Sequence, residues 1–546
     1  MKYTKVAAAG TALLAATLTL AACGSKSAGD KPAKTDTWSR MVKDVIQTQD
    51  DAQIVDVISG QTAVDTMDGL VRYNGSKLEP AVSKNVPKAT NGGLTYTYHL
   101  RKSNWSNGDK VTAKDFVYSW QRAVDPATKS EYAYLFSGIK NADKIMAGKA
   151  KPSTLGVKAV DDYTFEVTLE HAIPYFNTMM VNPVFFPTNK AAVEKYGKKY
   201  GSQSKYIVNN GPYTLKGWNG TNNSWSEVKN NKYWNAKDVH IKTIKTQVVK
   251  DSTTALNLYN SGKLDDAVLT GATAQKNRTN KDYQGLKQGR TSYLDMNEKK
   301  VAAFKNAKIR QAISMSINRT QFVNKVLGDG SITAQNLSPQ GIAKNPSTGE
   351  DFAKEAAGSA AGKVSTYNTK EAKTLWEAGL KEVGKTGLNV TLLTDDTEQA
   401  KQSAEYIQAA LEKLPGFKIT LQTVPFKTRV ARSLSGDTQL VLSSWQGDYP
   451  DPITFLDMYT TGNTYNFGFW SNAKYDALIK KSKTTDASDA TKRYEDLQQA
   501  QQLLTQQAGM VPLYQTVEAH LVNKSIKGLT YSPANMYNFV GASLKK

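Results

Sequence analysis

A single cysteine, Cys23, stands in 546 residues. No disulfide can form within the chain, and neither a thiolate zinc site nor a paired-cysteine redox centre can be built. Histidine is nearly as scarce: His99, His171, His240 and His520 are far apart, with no HExxH spacing to set two imidazoles around a metal. No G-x-S-x-G elbow is present to carry a hydrolase serine. Pairs of acids are too common among 49 carboxylates to indicate glycosidase chemistry. Neither an enzyme nor a bound cofactor or metal is expected. Lysine and arginine number 70, a net charge of +21, but the charge is spread out and no basic run reads as interleaved with stacking aromatics. Such lysines read as solvated faces, so nucleic acid is not an expected partner. With 22% charged and 40% hydrophobic residues, disorder and collagen-like folds are excluded, and roughly 100 to 200 residues per domain predicts two to four domains.

Long apolar runs are missing after the N-terminus. There, Lys2 and Lys5 precede an apolar stretch from Val6 to Leu20 that ends in Leu20-Ala21-Ala22-Cys23-Gly24. The stretch is shorter than the ~20 residues a spanning helix needs, and small residues before the cysteine suit a peptidase cleft. This resembles a bacterial lipoprotein signal. The resemblance implies removal of residues 1–22, a diacylglycerol on Cys23, and a protein held on the extracellular face of the cell membrane, since two acyl chains anchor stably. Residues 23–36, rich in Gly, Ser, Lys, Pro and Ala, read as a flexible tether, and the chain from Cys23 onward, with no second apolar run, reads as soluble.

Beyond the tether, strand and helix patterns alternate, predicting a mixed α/β fold. Leu94 to Leu100 alternates with period two, and after Asn107-Gly108-Asp109 a helix is predicted from Thr112. Thr112 and Asp115 form a capping-box-like start, Phe116, Trp120, Ala123 and Val124 share one face, and Pro126 closes the element. Strand-like runs Leu388–Leu393 and Phe417–Val424 flank a helical stretch from Thr397 to Lys413. That order predicts a β-α-β unit with parallel strands.

Gly379-Leu380-Lys381-Glu382-Val383-Gly384-Lys385-Thr386 matches a phosphate loop letter for letter. A phosphate loop must leave a strand and open a helix, so that backbone N–H groups meet the phosphates. Here a helical pattern (Thr369 to Leu380) runs in and a strand runs out, so Gly384 is predicted to cap a helix.

Ordered blocks along the chain carry a resemblance. They are Leu94-Thr95-Tyr96-Thr97-Tyr98-His99-Leu100-Arg101, Trp105-Ser106-Asn107-Gly108, Ala113 to Arg122, and Asp125-Pro126. Gly69-Leu70-Val71 precedes them, and Asn210-Gly211-Pro212-Tyr213, Asn231-Lys232-Tyr233-Trp234-Asn235, Tyr259 to Asp265 and Ile309 to Ser314 come after. Together they are similar to the oligopeptide-binding lipoproteins of ABC peptide importers, within the peptide/nickel solute-binding family. The resemblance implies a periplasmic-binding-protein-like fold with two lobes, a hinge and an additional inserted domain. Lobe I is expected as residues 37–73, 205–290 and 515–546, the inserted lobe II as 74–204, and lobe III as 291–514. It further implies an oligopeptide ligand, ABC permease subunits as partners, and a monomer.

Site residues are implied by the same resemblance. In Trp445-Gln446-Gly447-Asp448-Tyr449, Asp448 would receive the peptide's α-ammonium; Gly-Asp-Tyr-Pro also reads as an ordinary turn. Tyr132 would line the cleft or simply pack, Val57 would lend backbone groups, and Trp445 would wall a pocket or fill core. Some relatives clamp the peptide carboxylate with an arginine three residues before the tryptophan, but Leu442 stands there. Lys427, Arg429 and Arg432 lie nearby and could substitute, though each reads as an exposed cation on a loop. Other solutes (a signalling peptide, nickel, haem or a sugar), or a basic adhesin or wall-binding role, stay open as alternatives.

Overall fold

The computed structural model describes residues 36–531 and 537–545. The apolar stretch, Cys23 and most of the tether lie outside the described residues. The chain begins with β1 (Thr37–Val42). A small sheet comes next, with β2 (Thr95–His99), β3 (Val157–Asp161) and β4 (Thr164–Thr168) in the order β2-β4-β3. The main sheet resumes with β5 (Tyr213–Lys216), β6 (Ser224–Lys229), β7 (Thr243–Val248) and β8 (Asp266–Leu269). The long β9 (Tyr283–Met296), β10 (Ile332–Thr333), β11 (Leu388–Asp395), β12 (Phe417–Val424), β13 (Leu440–Gln446) and β14 (Val511–Val522) complete it. Its order is β12-β11-β13-β9-β14-β8-β1-β7-β6-β5, with β10 beside β14.

The helices that matter here are α1 (Val57–Thr66), α2 (Ala113–Val124), α3 (Thr369–Glu382), α4 (Glu398–Leu411) and α5 (Phe426–Leu434). α2 starts as its sequence predicts: the Thr112 N–H donates to the Asp115 carboxylate at 2.7 Å, closing the capping box. Phe116, Trp120, Ala123 and Val124 are all buried, and the Trp120 ring meets Phe165 edge-on at 5.0 Å. The β-α-β unit is present as β11-α4-β12. Its strands pair in parallel from Leu388↔Phe417 to Asp395↔Val424. α3 runs into the phosphate-loop-like segment and β11 leaves it. Gly384 sits at φ +66 and the Lys385 N–H donates to Leu380 O at 2.9 Å, so this glycine terminates a helix.

β9 and β14 form the spine joining the two halves of the sheet. Their pairing has register shifts between Lys287 and Thr291 and between Ser292 and Tyr293. The expected absence of basic residues interleaved with aromatics does not hold between Lys195 and Tyr206. There lysines and tyrosines alternate in the chain itself (Lys195-Tyr196, Lys199-Tyr200, Lys205-Tyr206), and Lys205 lies 4.9 Å and Lys199 5.7 Å from the Tyr206 ring. Among the described residues, no helix is long and apolar enough to cross a membrane.

Candidate functional site

A cavity of about 410 Å³ opens beside the spine, where β1, α1, β13 and β14 converge with residues 132 and 182 from the small-sheet region. Its wall is set by how β11 and β13 part. β13 pairs with β9 along its whole length, from Arg290↔Gln446 to Met296↔Leu440. On its other side it pairs with β11 only at Leu392↔Leu440 and Leu393↔Val441. From Leu442 to Gln446 that edge has no strand partner among the described residues. Backbone donors and acceptors on such an edge are a template for an added extended segment.

Asp448 lies just past this edge, half-buried in the cavity wall. Its Oδ1 accepts from Asn182 Nδ2 at 2.9 Å and from Tyr132 Oη at 3.3 Å, while Oδ2 accepts from Thr454 Oγ1 at 3.3 Å. Among the described residues no cation pairs with it. Burial pushes its carboxyl up to about 7, and the three hydrogen bonds only partly oppose that shift. A carboxylate held by neutral donors, with no counter-charge among the described residues, retains the capacity for a charge-assisted hydrogen bond to a cation.

Aromatic rings flank this acid. Trp445 lies 4.8 Å from Tyr465, and Tyr132 lies 5.6 Å from Tyr465 and 6.3 Å from Trp445. Trp445 and Tyr132 are nearly buried yet line the cavity, so each both packs and forms wall. Gln446 and Gly447 line it too. A Cβ on Gly447 would sit 2.9 Å from the Phe455 ring, so close packing against that ring favours glycine there. Val57 opens α1 on the cavity rim, beside the N-cap Asp56, whose side chain takes the Ile58 and Ser59 N–H groups. Tyr449 departs from the expected set. Its ring stacks on Tyr175 at 5.2 Å and 10°, the Arg493 guanidinium lying 4.8 Å from the Tyr175 ring, and Tyr449 does not line the cavity.

Other groups here have no local signal in the sequence. Asn182 and Thr454 hold Asp448, yet neither belongs to a motif. The carboxyl end of β14 contributes to a charge cluster in which His520 and Asp266 are buried and Arg290 and Glu518 half-buried. Arg290 meets Glu518 at 2.6 Å, and His520 bridges Asp266 at 2.7 Å and Glu518 at 3.3 Å. Burial works against the imidazolium, but the two carboxylates outweigh it and hold His520 up at about 10. Of the three nearby cations, Lys427 is exposed and half-buried Arg432 pairs with Asp437. Arg429 is not an exposed loop residue: it is buried on α5, with Nε donating to Asp395 at 2.9 Å and Nη1 to Ser443 Oγ at 3.2 Å. It fills the gap where β11 and β13 separate, and that gap is what buries it.

The family model for bacterial extracellular solute-binding proteins, family 5 (middle), matches residues 77–467. A dipeptide-binding protein of Lactococcus lactis is 36% identical, with all of both chains covered. The structure of Listeria monocytogenes OppA bound to peptide superposes with a TM-score of 0.89 at 39% identity, covering 94% of this chain and 100% of that one. The Escherichia coli murein tripeptide-binding protein MppA matches at 28% identity and 94% coverage of this chain, and 99% of its own. MppA in its unliganded open form has the same identity and coverage of this chain (98% of its own), but the TM-score falls from 0.85 to 0.63. The α/β fold is thus the two-lobed one, and the lobes are arranged unlike those of that open form.

Proposed function

The chain belongs to family 5 of the bacterial extracellular solute-binding proteins, and from that premise we propose that it binds oligopeptides in this cleft and delivers them to an ABC transporter permease. The observation that carries the reading is the unpartnered β13 edge ending at a carboxylate without a counter-charge. An edge strand recognises any extended peptide through its backbone, and the acid selects the end that bears an α-ammonium. Side chains then need only roomy, wet pockets, which suits a receptor for many sequences. The resemblance to the peptide-bound Listeria protein and the poorer match to an open form support a ligand-closed arrangement.

The protein performs no chemistry on its ligand and acts as a monomer. Lobe I comprises residues 37–73, 205–290 and 515–546, lobe II 74–204, and lobe III 291–514. The register break between Lys287 and Thr291 supports a hinge at the border of lobes I and III. Cys23 carries the lipid that holds the receptor at the outer face of the membrane, with the segment to residue 36 as its leash. Native mass spectrometry of protein purified without denaturation tests the ligand: a ladder of peptide masses is expected, a single mass would indicate a dedicated signal, and a non-peptide mass would overturn the reading. For the anchor, Cys23→Ala should move the protein from the membrane fraction to the medium. Retention of processed Cys23→Ala protein in membranes would refute lipidation.

A further inference from the structure

Between Lys195 and Tyr206 the chain carries four lysines, three tyrosines and no acid. Lys195, Lys198, Lys199 and Lys205 are all exposed, and among the described residues none of them makes an ion pair. The acid next to the segment, Glu194, faces Lys190 at 3.6 Å. Rings stand where carboxylates would: Lys205 lies 4.9 Å and Lys199 5.7 Å from the Tyr206 ring, Lys195 5.4 Å from that of Tyr196, and the two rings are 5.5 Å apart. At exposed sites such contacts are weak and leave the mutual repulsion of the four ammoniums uncancelled.

This segment is locked in place. Tyr200 is buried, with the Arg122 guanidinium 5.8 Å from its ring, and Arg122 grips Asp50 through both terminal nitrogens at 2.7 and 2.5 Å. The Gln49 N–H donates to Gly201 O at 2.8 Å, and Gly201, at φ +71, lies so close to Asp50 that a Cβ would collide with its backbone. Ser204 donates through both its N–H and its hydroxyl to Trp218 O, each at 2.9 Å. The lysines therefore stand on a fixed platform, and Asp50 ties that platform to the chain that runs on to Ile54–Ile58 at the cleft.

We propose that this lysine–tyrosine platform rests on the anionic phospholipid headgroups of the membrane that carries the anchor, and so holds the cleft close to that surface. The inference rests on the reading of Cys23 as a lipid anchor. Extended, residues 23–36 reach up to ~45 Å, well beyond the ~20 Å of the six-residue β1 that leads from the tether toward the cleft. Anchor and platform can thus meet one surface. A phosphate polymer would need only the cations. Half-buried tyrosines among them suit a bilayer interface, where ring bodies sit below polar tips and lysine stems snorkel outward. Base stacking is disfavoured, because Lys199, Lys205 and Tyr196 crowd the Tyr206 ring.

Vesicle flotation tests this on the Cys23→Ala protein, which has no lipid of its own, so the platform is read apart from the anchor. Vesicles of equal parts phosphatidylglycerol and phosphatidylcholine should bind it, pure phosphatidylcholine vesicles should not, and added salt should release it. A lysine near an anionic surface is worth about fivefold in binding, so Lys198→Gln, Lys199→Gln and Lys205→Gln together should weaken partitioning roughly ten- to a hundred-fold. Peptide affinity should stay unchanged. The same change at Lys84, Lys237 and Lys418, exposed lysines elsewhere without ion pairs among the described residues, should cost far less. Equal losses in the two triple variants would reduce the effect to net charge and overturn the proposal, as would equal binding to neutral vesicles. Capture on polyphosphate-coated beads without binding to anionic vesicles would assign the platform to a phosphate polymer and overturn the membrane contact. Failure of the anchor shows differently, as membrane retention of processed Cys23→Ala protein that survives a high-salt wash.

Discussion

Asn182 donates its side-chain amide to Asp448 at 2.9 Å across 266 residues of chain. Of the three side-chain donors to that carboxylate, only Thr454 is a near neighbour in sequence; Tyr132 and Asn182 come from the segment carrying the small sheet. On the proposed reading, in which Asp448 receives a ligand ammonium, that acceptor is complete only when the segment carrying Tyr132 and Asn182 meets it. The same reading predicts that closure and ligand capture are coupled through these two bonds.

Removing one of them should show this. Asn182→Ala deletes a hydrogen bond to a charged group, typically worth ~1.5 to 3 kcal/mol. At pH 8, peptide affinity should fall by roughly ten- to a hundred-fold, read by calorimetry. Unchanged affinity would mean that the Asp448 carboxylate does not depend on lobe contact.

Binding should depend on pH through the same acid. In the unliganded cleft burial holds Asp448 at about 7. The ligand ammonium needs the carboxylate, so below pH 7 each unit of acidification should weaken binding up to tenfold, about a hundred-fold at pH 5. Above ~8 the free peptide's own α-amino group deprotonates and affinity should fall again. Titrations between pH 5 and 9 should therefore show an optimum between 7 and 8, and Asp448→Asn should lose the acid limb.

Much of this was legible in the sequence, for physical reasons that also explain the rest. Thr112 and Asp115, the α2 face and the β11-α4-β12 unit are local: capping and periodicity act within a dozen residues, so pattern reveals them. Gly384 was readable because helix-then-strand order contradicts a phosphate loop. The Asp448 wall was readable only through resemblance, and its partner Asn182 was not readable at all, since nothing local marks a residue whose bond is 266 positions away. Arg429 read as an exposed loop cation because its burial comes from two strands separating, a tertiary event. Tyr449 shows the reverse case: it sits inside the motif, yet its ring serves the Tyr175 stack instead of the cleft wall.

Arg40 should prove structural. It lies on β1 with Nη2 2.7 Å from Asp65 and 3.0 Å from Glu227, all three buried, and Nε donates to Thr246 Oγ1 at 3.1 Å. Arg40→Met would leave two buried carboxylates facing each other without a cation, a loss of ~3 to 5 kcal/mol. Burial already raises both carboxyls, and without Arg40 they would rise further. Protonation spares the folded state, so the loss should be smaller at pH 5 and larger at pH 8. Denaturant midpoints at the two pH values check this, and an equal loss at both would show that the acids stay ionised.

The decisive substitution is Asp448→Asn. It preserves shape and two of the acceptor contacts, those from Asn182 and Tyr132, but it removes the charge proposed to meet an α-ammonium. Breaking a buried hydrogen-bonded charge pair by losing one partner typically costs ~2 to 5 kcal/mol, or roughly thirty-fold to several thousand-fold in affinity. N-acetylation of pentaalanine removes the same pair from the ligand side. If the two charges meet, the variant with the acetylated peptide should lose much less than the sum of the single losses, because the second change removes nothing further. Calorimetry on all four combinations measures that coupling directly. Additive losses would place Asp448 away from the ammonium. Undiminished binding together with a lowered melting temperature would reduce the Gly447-Asp448 segment to a turn.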